Sequence, residues 1–183
     1  MRTVKQPGKP ARPRVLSVTA TSGGELRVVV PEGVDLLNGL ARALLGVGVT
    51  SAAVFLTGGR FARMQYLTGQ PCRDGKRVAT YGAPTTLVGP VTLLSGNAFL
   101  GIDETGKPIV HCHAVVVDRD GSVHGGHLPP GVCSVGRGGV VALAAALADA
   151  MLTVRYDAET NYPIFHPTSL DPISLNGARK VAA

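Results

Sequence analysis

Apolar positions in the first part of the chain change from a strand period to a helical period. Residues 25–30 alternate as a strand does, and Asp35 can then cap a helix that Gly46 and Gly48 end. Between these points apolar side chains recur at helical spacing: Leu36, Leu37, Leu40, Ala41 and Leu44. The pattern predicts one strand that leads into one amphipathic helix.

The middle of the chain consists of short apolar runs that favour strands. Residues 49–59, 60–67 and 76–82 are three candidates, and residues 89–103 form a longer one that Gly96 should interrupt with a bulge. Short turns, rather than regular helical crossovers, join these runs. We therefore expect an α+β fold: a largely antiparallel sheet with a few flanking helices, in a single domain.

The last third of the chain gives three further expectations. An Ala- and Leu-rich run predicts an extra helix over residues 138–149, and residues 152–157 read as a strand. Prolines after Asn161 then favour irregular structure. The predicted organisation is a basic, Pro-rich flexible tail over residues 1–22, a folded domain over 23–166, and an irregular C-terminal wrap or tail over 167–183.

The positive charge of the chain is concentrated at its start. The net charge is +6, and five of the eighteen basic residues fall within the first fourteen positions: Arg2, Lys5, Lys9, Arg12 and Arg14. The rest carries thirteen bases against twelve acids. A nearly neutral body lacks an obvious electrostatic footprint for nucleic acid, so any attraction to DNA should come from the tail or from a local basic patch.

The cysteines and the apolar runs indicate the compartment. Three cysteines form no CxxC pair, and no apolar segment of a secretory signal follows the first basic residues, which favours a reducing cytoplasm. The longest apolar run, residues 140–148, is much shorter than the ~20 residues that span a bilayer. We expect a cytoplasmic protein that does not cross a membrane.

Four of the five histidines lie between residues 111 and 127. Alternate side chains of a strand share a face, so His111 and His113 point the same way. The loop that follows decides where His127 points: a two-residue loop would leave it on the face away from His113. A three-residue loop with Gly121 left-handed in a G1 bulge would place His127 directly opposite His113, with Cβ atoms about 4.5–5.5 Å apart.

Three neutral imidazoles on one face suit a divalent metal ion, most often zinc, with a fourth position for water or an outside ligand. Strand histidines also occur as core or surface residues with ordinary hydrogen bonds, so spacing alone leaves both interpretations open. His124 would share the face of His111 and His113 only with the two-residue loop. His166 could approach from the C-terminal wrap.

The segment HCHAVVVDRDGSVHGGHL, residues 111–128, resembles the signature of the plants-and-prokaryotes-conserved domain family (PPC, also written PCC). Two other segments agree with the family in order. Residues 31–59 resemble its helix and small-residue strand, and VTLLSGNAFLG, residues 91–101, resembles its LSGN segment. The resemblance covers roughly residues 25–156 and is to the stand-alone bacterial type, whose members are often labelled DNA-binding.

The resemblance implies a largely antiparallel sheet that assembles as a homotrimer. It also implies a metal at His111, His113 and His127, since bacterial relatives can hold one at the corresponding histidines. In plants such domains follow AT-hooks in DNA-associated proteins, but this chain lacks the Arg-Gly-Arg-Pro centre of a hook. The family usually continues from GGHL into a strand, where this sequence predicts the helix over 138–149.

Two functions fit these observations. The first is a homo-oligomeric, non-enzymatic module with a three-histidine metal site, associated with DNA through the five basic residues of the tail. The second is a metal-dependent enzyme or small-ligand-binding protein that uses the open coordination position. For it, Arg63 and Tyr66 could orient an anion, with His124 and His166 as further candidates. Asp103 and Glu104 add possible acids or bases.

Overall fold

The computed structural model describes residues 6–170, which form a main sheet with a helix on one face and a separate two-stranded pair. In chain order the elements are β1 Ser22–Val30, α1 Leu36–Leu45, β2 Ala52–Tyr66, β3 Gly69–Gln70, β4 Thr80–Tyr81, β5 Thr85–Ile102, β6 Pro108–Val117, β7 Val123–His127, β8 Ser134–Leu147, β9 Ala150–Asp157 and β10 Tyr162–Ser169.

The main sheet has eight strands and is almost wholly antiparallel. Six strands run in the order β1-β8-β2-β5-β6-β7, and every neighbouring pair in that row is antiparallel. The β9–β10 hairpin joins the sheet through a parallel bridge between Ile102 and Thr153. Strands β3 and β4 form a separate pair. The predicted single α+β domain is confirmed, with one helix in the described part of the chain.

Helix α1 begins and ends where its caps predict. The Asp35 side chain accepts a hydrogen bond from the Asn38 amide at 3.0 Å, and the Gly46 amide donates to the Arg42 carbonyl at 2.9 Å. Its leucines are buried against one face of the sheet and close the core. Within residues 6–170, no helix has the length and apolar character needed to cross a bilayer.

The helix predicted over residues 138–149 is wrong, because this run belongs to strand β8. Burial alternates along its second half, where Val140, Ala142, Ala144 and Ala146 face the core. The strand lies between β1 and β2 and pairs with both. Backbone pairing on two sides outweighs the intrinsic helix preference of alanine, which amounts to less than about 1 kcal/mol per residue. The chain thus continues into a strand in this region.

The C-terminal wrap predicted from residue 161 is also partly wrong. Strand β10 covers Tyr162–Ser169 and pairs with β9 along its whole length. Within the described sheet β10 pairs with β9 alone, and an edge strand tolerates proline because one row of its amides faces away from any partner. Folded structure therefore continues past residue 166. Residues 171–183 lie outside the described residues.

Three further details of the middle strands differ from expectation. Residues 49–59 and 60–67 predicted two strands, but one long strand, β2, runs through Gly58 and Gly59. The bulge expected at Gly96 lies slightly earlier, where the register between β5 and β6 shifts between Leu93 and Ser95. Only Thr80–Tyr81 of the run 76–82 pairs as a strand.

The N-terminal segment is attached to the β9–β10 hairpin from residue 8 onward. Glu159, which is 7% exposed, accepts a hydrogen bond from the Ala11 amide at 2.7 Å and pairs with the Arg14 guanidinium. The Glu159 carbonyl also accepts from the Gly8 amide at 2.9 Å. A single buried carboxylate thus holds this segment on the hairpin, and regular structure begins at Ser22.

Candidate metal centre

The β6–β7 hairpin has the three-residue loop that the histidine spacing requires. The Asp118 amide donates to the Ser122 carbonyl at 3.0 Å, and Gly121 has φ +84°. This left-handed glycine absorbs the extra residue, so the register sets His113 directly opposite His127. The predicted G1-bulge geometry is confirmed.

Three imidazole rings converge on the face of the sheet away from α1. Each ring offers one nitrogen, and these atoms all lie within 4.8 Å of one another. The ring centroids are 4.9 Å apart for His111 and His113, 4.7 Å for His111 and His127, and 5.4 Å for His113 and His127. Two strands therefore supply one compact cluster of nitrogen ligands.

The environment keeps these rings uncharged at neutral pH. Burial lowers the pKa of His113, and burial followed by repulsion from His113 lowers that of His111. Burial, with repulsion from His111 and His113, lowers the pKa of His127 to about 4. Neutral imidazole is the form that binds metals, so no proton has to be displaced from the cluster at pH 7.

The donor set fits a divalent ion. Tetrahedral zinc at about 2.0–2.1 Å from each nitrogen would place ligand atoms about 3.3 Å apart, and His111 Nε2 lies 3.1 Å from His113 Nε2. His127 Nδ1 is buried and has no hydrogen-bond partner. The three histidines can therefore hold a metal ion, which would supply Lewis acidity and an open position for an outside ligand.

Neighbouring aromatic rings hold the cluster in place. Tyr81 stacks on His127 with centroids 4.8 Å apart and planes at 17°, and Phe165 meets His111 edge-on at 6.4 Å. Gly126 is needed for the approach of β2, because a Cβ there would lie 2.3 Å from the Leu67 carbonyl oxygen. Leu67 and His127 exchange two backbone hydrogen bonds at this point, which fixes the position of His127.

A cavity of about 440 Å³ opens beside the cluster, with His113 and His127 in its wall. Its other walls come from the loop before and within β4, from the two glycines of β7, and from β10. No Lys, Arg, Asp or Glu of the described residues lines it. The cavity is therefore mainly apolar, and among the residues that the structure describes, the ionisable groups in its lining are two tyrosines and two histidines.

His124 and Tyr66 do not join the cluster. They lie together on the other side of the hairpin, where the Tyr66 hydroxyl is 3.1 Å from His124 Nδ1. His124 Nε2 is 2.8 Å from an Asp118 carboxylate oxygen, and this contact is the first cause that lowers the pKa of Asp118. The contacts from Tyr66 through His124 to Asp118 attach the hairpin loop to the end of β2, so their role is structural.

The remaining ligand candidates lie at two other places. Arg63 is exposed on β2 and borders a separate groove near Asp35, while His166 lies beside the N-terminal segment, with Nε2 buried and without a partner. Asp103 is engaged by Thr105 and Lys107 in a turn. Together with Glu104, these residues are absent from the lining of the cavity beside the cluster.

The basic residues of the tail divide into three groups. Arg14 is paired with Glu159, whereas Lys9 and Arg12 are exposed. Arg2 and Lys5 lie outside the described residues.

Sequence reasoning missed the aromatic surroundings of the cluster, Tyr81, Tyr162 and Phe165. No local motif marks these rings, because they reach the site from segments far apart in the sequence.

The fold is similar to several solved structures. It superimposes on a metal-containing protein from Archaeoglobus fulgidus with a TM-score of 0.66 at 20% identity, covering 82% of this chain and 97% of the other. A plant- and prokaryote-conserved protein from Pyrococcus horikoshii gives 0.67 at 20% identity, with 85% and 100% covered. At these identities the likeness shows a common fold.

A third structure, named "Putative DNA-binding protein" and from Ralstonia eutropha, gives a TM-score of 0.61 at 21% identity, with 76% of this chain and 88% of the other covered. No curated protein sequence matches the chain. The sequence profile of the Plants and Prokaryotes Conserved (PCC) domain matches residues 18–146, which is more than half of the chain. With the histidine-bearing hairpin and the antiparallel sheet, this match makes the chain a member of the PCC domain family.

Proposed function

We propose that this protein is a homo-oligomeric, non-enzymatic module that binds a divalent metal, zinc first, through His111, His113 and His127. One observation carries the proposal: His111, His113 and His127, from two strands, each place a ring nitrogen within 4.8 Å of the other two. The Archaeoglobus relative is named as metal-containing, which supports the same reading. Three protein nitrogens leave one position of a tetrahedral ion for water or a small ligand.

Metal analysis of chelator-treated, zinc-reloaded protein tests the proposal. We expect about one zinc per chain in the natural protein and loss of most of it in His113→Ala, because two imidazoles bind far more weakly than three. His124→Gln is the matched control, since His124 lies on the same hairpin but outside the cluster. Equal zinc in His113→Ala and the control would contradict the proposal.

The assembly we propose is a homotrimer, formed through the face of the sheet that α1 leaves uncovered. Large apolar side chains are exposed on that face, among them Phe55 (53%), Leu143 (49%) and Phe99 (44%). Phe55 lies between Leu143 and Asn97 in the register, and Asn97 pairs with His113. The apolar surface is thus continuous with the histidine cluster, and surfaces of this kind mark protein contacts.

Cytoplasmic location is part of the same proposal. Its support is that Cys72, Cys112 and Cys133 are all free thiols. Burial raises the pKa of Cys112 to about 12 and that of Cys133 to about 11, which keeps both protonated and inert. A reducing compartment matches this state.

A second part of the proposal is association with DNA through the N-terminal segment. The exposed charges of Lys9 and Arg12 support it, as does the name of the Ralstonia relative. Replacing Arg2, Lys5, Lys9 and Arg12 with Gln, while keeping Arg14 on Glu159, should abolish binding of labelled duplex DNA. Each lost phosphate contact should make the negative slope of log affinity against log salt concentration shallower by about 0.9. Unchanged binding would show that the segment has no such role.

The enzyme alternative has less support. A metal-activated water needs a general acid or base within hydrogen-bond reach. The cavity beside the cluster is lined by no carboxylate of the described residues, and its hydroxyl groups come from threonines and tyrosines. The geometry therefore favours ligand binding at the open position over hydrolysis there.

A further inference from the structure

The cavity beside the histidines owes one wall to a part of the chain outside the family match. The match ends at residue 146, and the β9–β10 hairpin follows it. Thr160, Tyr162 and Ile164 of that hairpin line the cavity, opposite His113 and His127. The hairpin that follows the profile match thus covers one side of the histidine cluster.

The second wall is a loop that is fastened to the hairpin. Val78 and Ala79 line the cavity beside Tyr81. The Val78 amide donates to the Thr160 carbonyl at 3.0 Å, and the Arg77 guanidinium lies 5.8 Å above the Tyr162 ring. These contacts hold the two walls together at a fixed distance. The cavity is therefore preformed, as small-molecule sites usually are.

The hairpin itself is seated closely on the sheet. The Leu152 amide donates to Ser51 Oγ at 2.8 Å. Gly101 permits the approach, since a Cβ there would lie 2.3 Å from the Leu152 carbonyl oxygen and 2.7 Å from the Phe165 ring. Phe165 in turn touches His111. The same hairpin thus packs on the cluster and walls the cavity.

The chemistry of the walls selects a class of ligand. Leu67, Val78, Ala79 and Ile164 offer apolar surface, and Tyr81 and Tyr162 offer ring faces, which suit a flat apolar body. A divalent ion on three neutral imidazoles carries two uncompensated positive charges, and no described residue of the lining is an acid that could balance them. A ligand with a flat apolar ring and an anionic, metal-binding head would match both the apolar walls and the positive charge of the metal.

We propose that this cavity binds a small aromatic anion, with its ring between the β9–β10 hairpin and the loop of Val78–Tyr81 and its anionic head at the histidine cluster. The proposal rests on the proposed metal site. A volume of about 440 Å³ lies in the lower part of the ~300–1,000 Å³ range of small-molecule pockets, which suits a ligand with one ring.

Calorimetric titration of zinc-loaded protein with two hydroxamates tests the proposal. Benzohydroxamate and acetohydroxamate carry the same anionic head, and only the first has a ring. We expect benzohydroxamate to bind at least about tenfold more tightly, because the cavity removes the apolar surface of its ring from water. Equal affinity for the two probes, or no binding of either to protein that holds zinc, would overturn the proposal.

Two variants locate the ring. Ala79→Phe should fill the cavity and remove the preference for benzohydroxamate, and Ile164→Ser should weaken benzohydroxamate while leaving acetohydroxamate unchanged. Val88→Ser is the matched control for Ile164→Ser, because Val88 is an exposed β-branched strand residue outside the lining. If both cavity variants keep the full preference, the ring binds elsewhere and the proposal is wrong.

Zinc content, measured on every sample, separates the two proposals. Natural protein that takes up no zinc would overturn the metal site and this inference with it. Protein that holds about one zinc per chain but does not discriminate between the probes would overturn this inference alone.

Discussion

At the scale of single residues, the proposed function depends on histidine rings that stay uncharged in a half-buried cluster. Burial is the first cause that lowers the pKa of each of the three. The residue that places His127 opposite His113 is a glycine in the hairpin loop. Gly121 takes φ +84° in the loop, which sets the register and brings His127 opposite His113.

Substitution of Gly121 tests this dependence on one backbone angle. No heavy atom lies within 4 Å of where its Cβ would be, so Gly121→Ala should cost about 1–2 kcal/mol through left-handed strain alone. Gly121→Asn should cost less, since asparagine adopts this conformation more readily. Thermal or urea unfolding measures both variants. Equal stability of the alanine and asparagine variants would contradict the loop geometry.

The residues of the cluster could be predicted because their geometry is local. Alternate strand positions bring His111 and His113 together, and His127 joins them with the three-residue loop, one of the two loops that the sequence allows. The aromatic neighbours could not be predicted in this way. Tyr81 and Phe165 reach the cluster from distant segments, and only the long-range pairing of the strands brings them there.

At the scale of elements, the part of the chain after residue 138 departs most from expectation. The helical prediction is wrong because the composition of residues 138–149 does not reveal the pairing that a central strand receives from both sides. The prolines after residue 161 favour irregular structure in the sequence, yet on an edge strand they cost few hydrogen bonds. Local propensity is a weak guide wherever tertiary pairing satisfies the backbone.

The seating of the β9–β10 hairpin is tested at Gly101. Gly101→Ala should lower the free energy of unfolding by about 1–3 kcal/mol, because its Cβ would collide with the Leu152 carbonyl and the Phe165 ring. The rate of amide hydrogen exchange in β9 and β10 should rise in the same variant. Gly58→Ala is the control, since nothing lies within 4 Å of that position. If both variants unfold alike, the hairpin is not packed as described.

At the scale of the whole molecule, the sheet has one face covered by α1 and one face left largely open. The core lies under the helix, while Phe55, Phe99, Val115 and Leu143 are each more than two-fifths exposed on the other face. A surface of this kind is costly in water unless it is covered. The histidine cluster lies on the same face, so assembly and metal binding concern neighbouring parts of the molecule.

Light scattering after size-exclusion chromatography tests the assembly. The natural protein should elute as a trimer of the 18.8 kDa chain, and Phe55→Glu should shift it to the monomer by placing a charge in the apolar contact. Val47→Glu is the control, because Val47 is 61% exposed just after α1, away from the open face. A monomeric natural protein, or a trimeric Phe55→Glu variant, would contradict the proposed contact.

The measurement that tests the central claim most directly is zinc K-edge X-ray absorption on the metal-loaded protein. The account predicts three imidazole nitrogens at about 2.0–2.1 Å and one further light atom in the first coordination shell. Sulfur at about 2.3 Å would place the metal on cysteine instead, and fewer than three imidazoles would leave the cluster incomplete. Either result would contradict a metal centre at His111, His113 and His127.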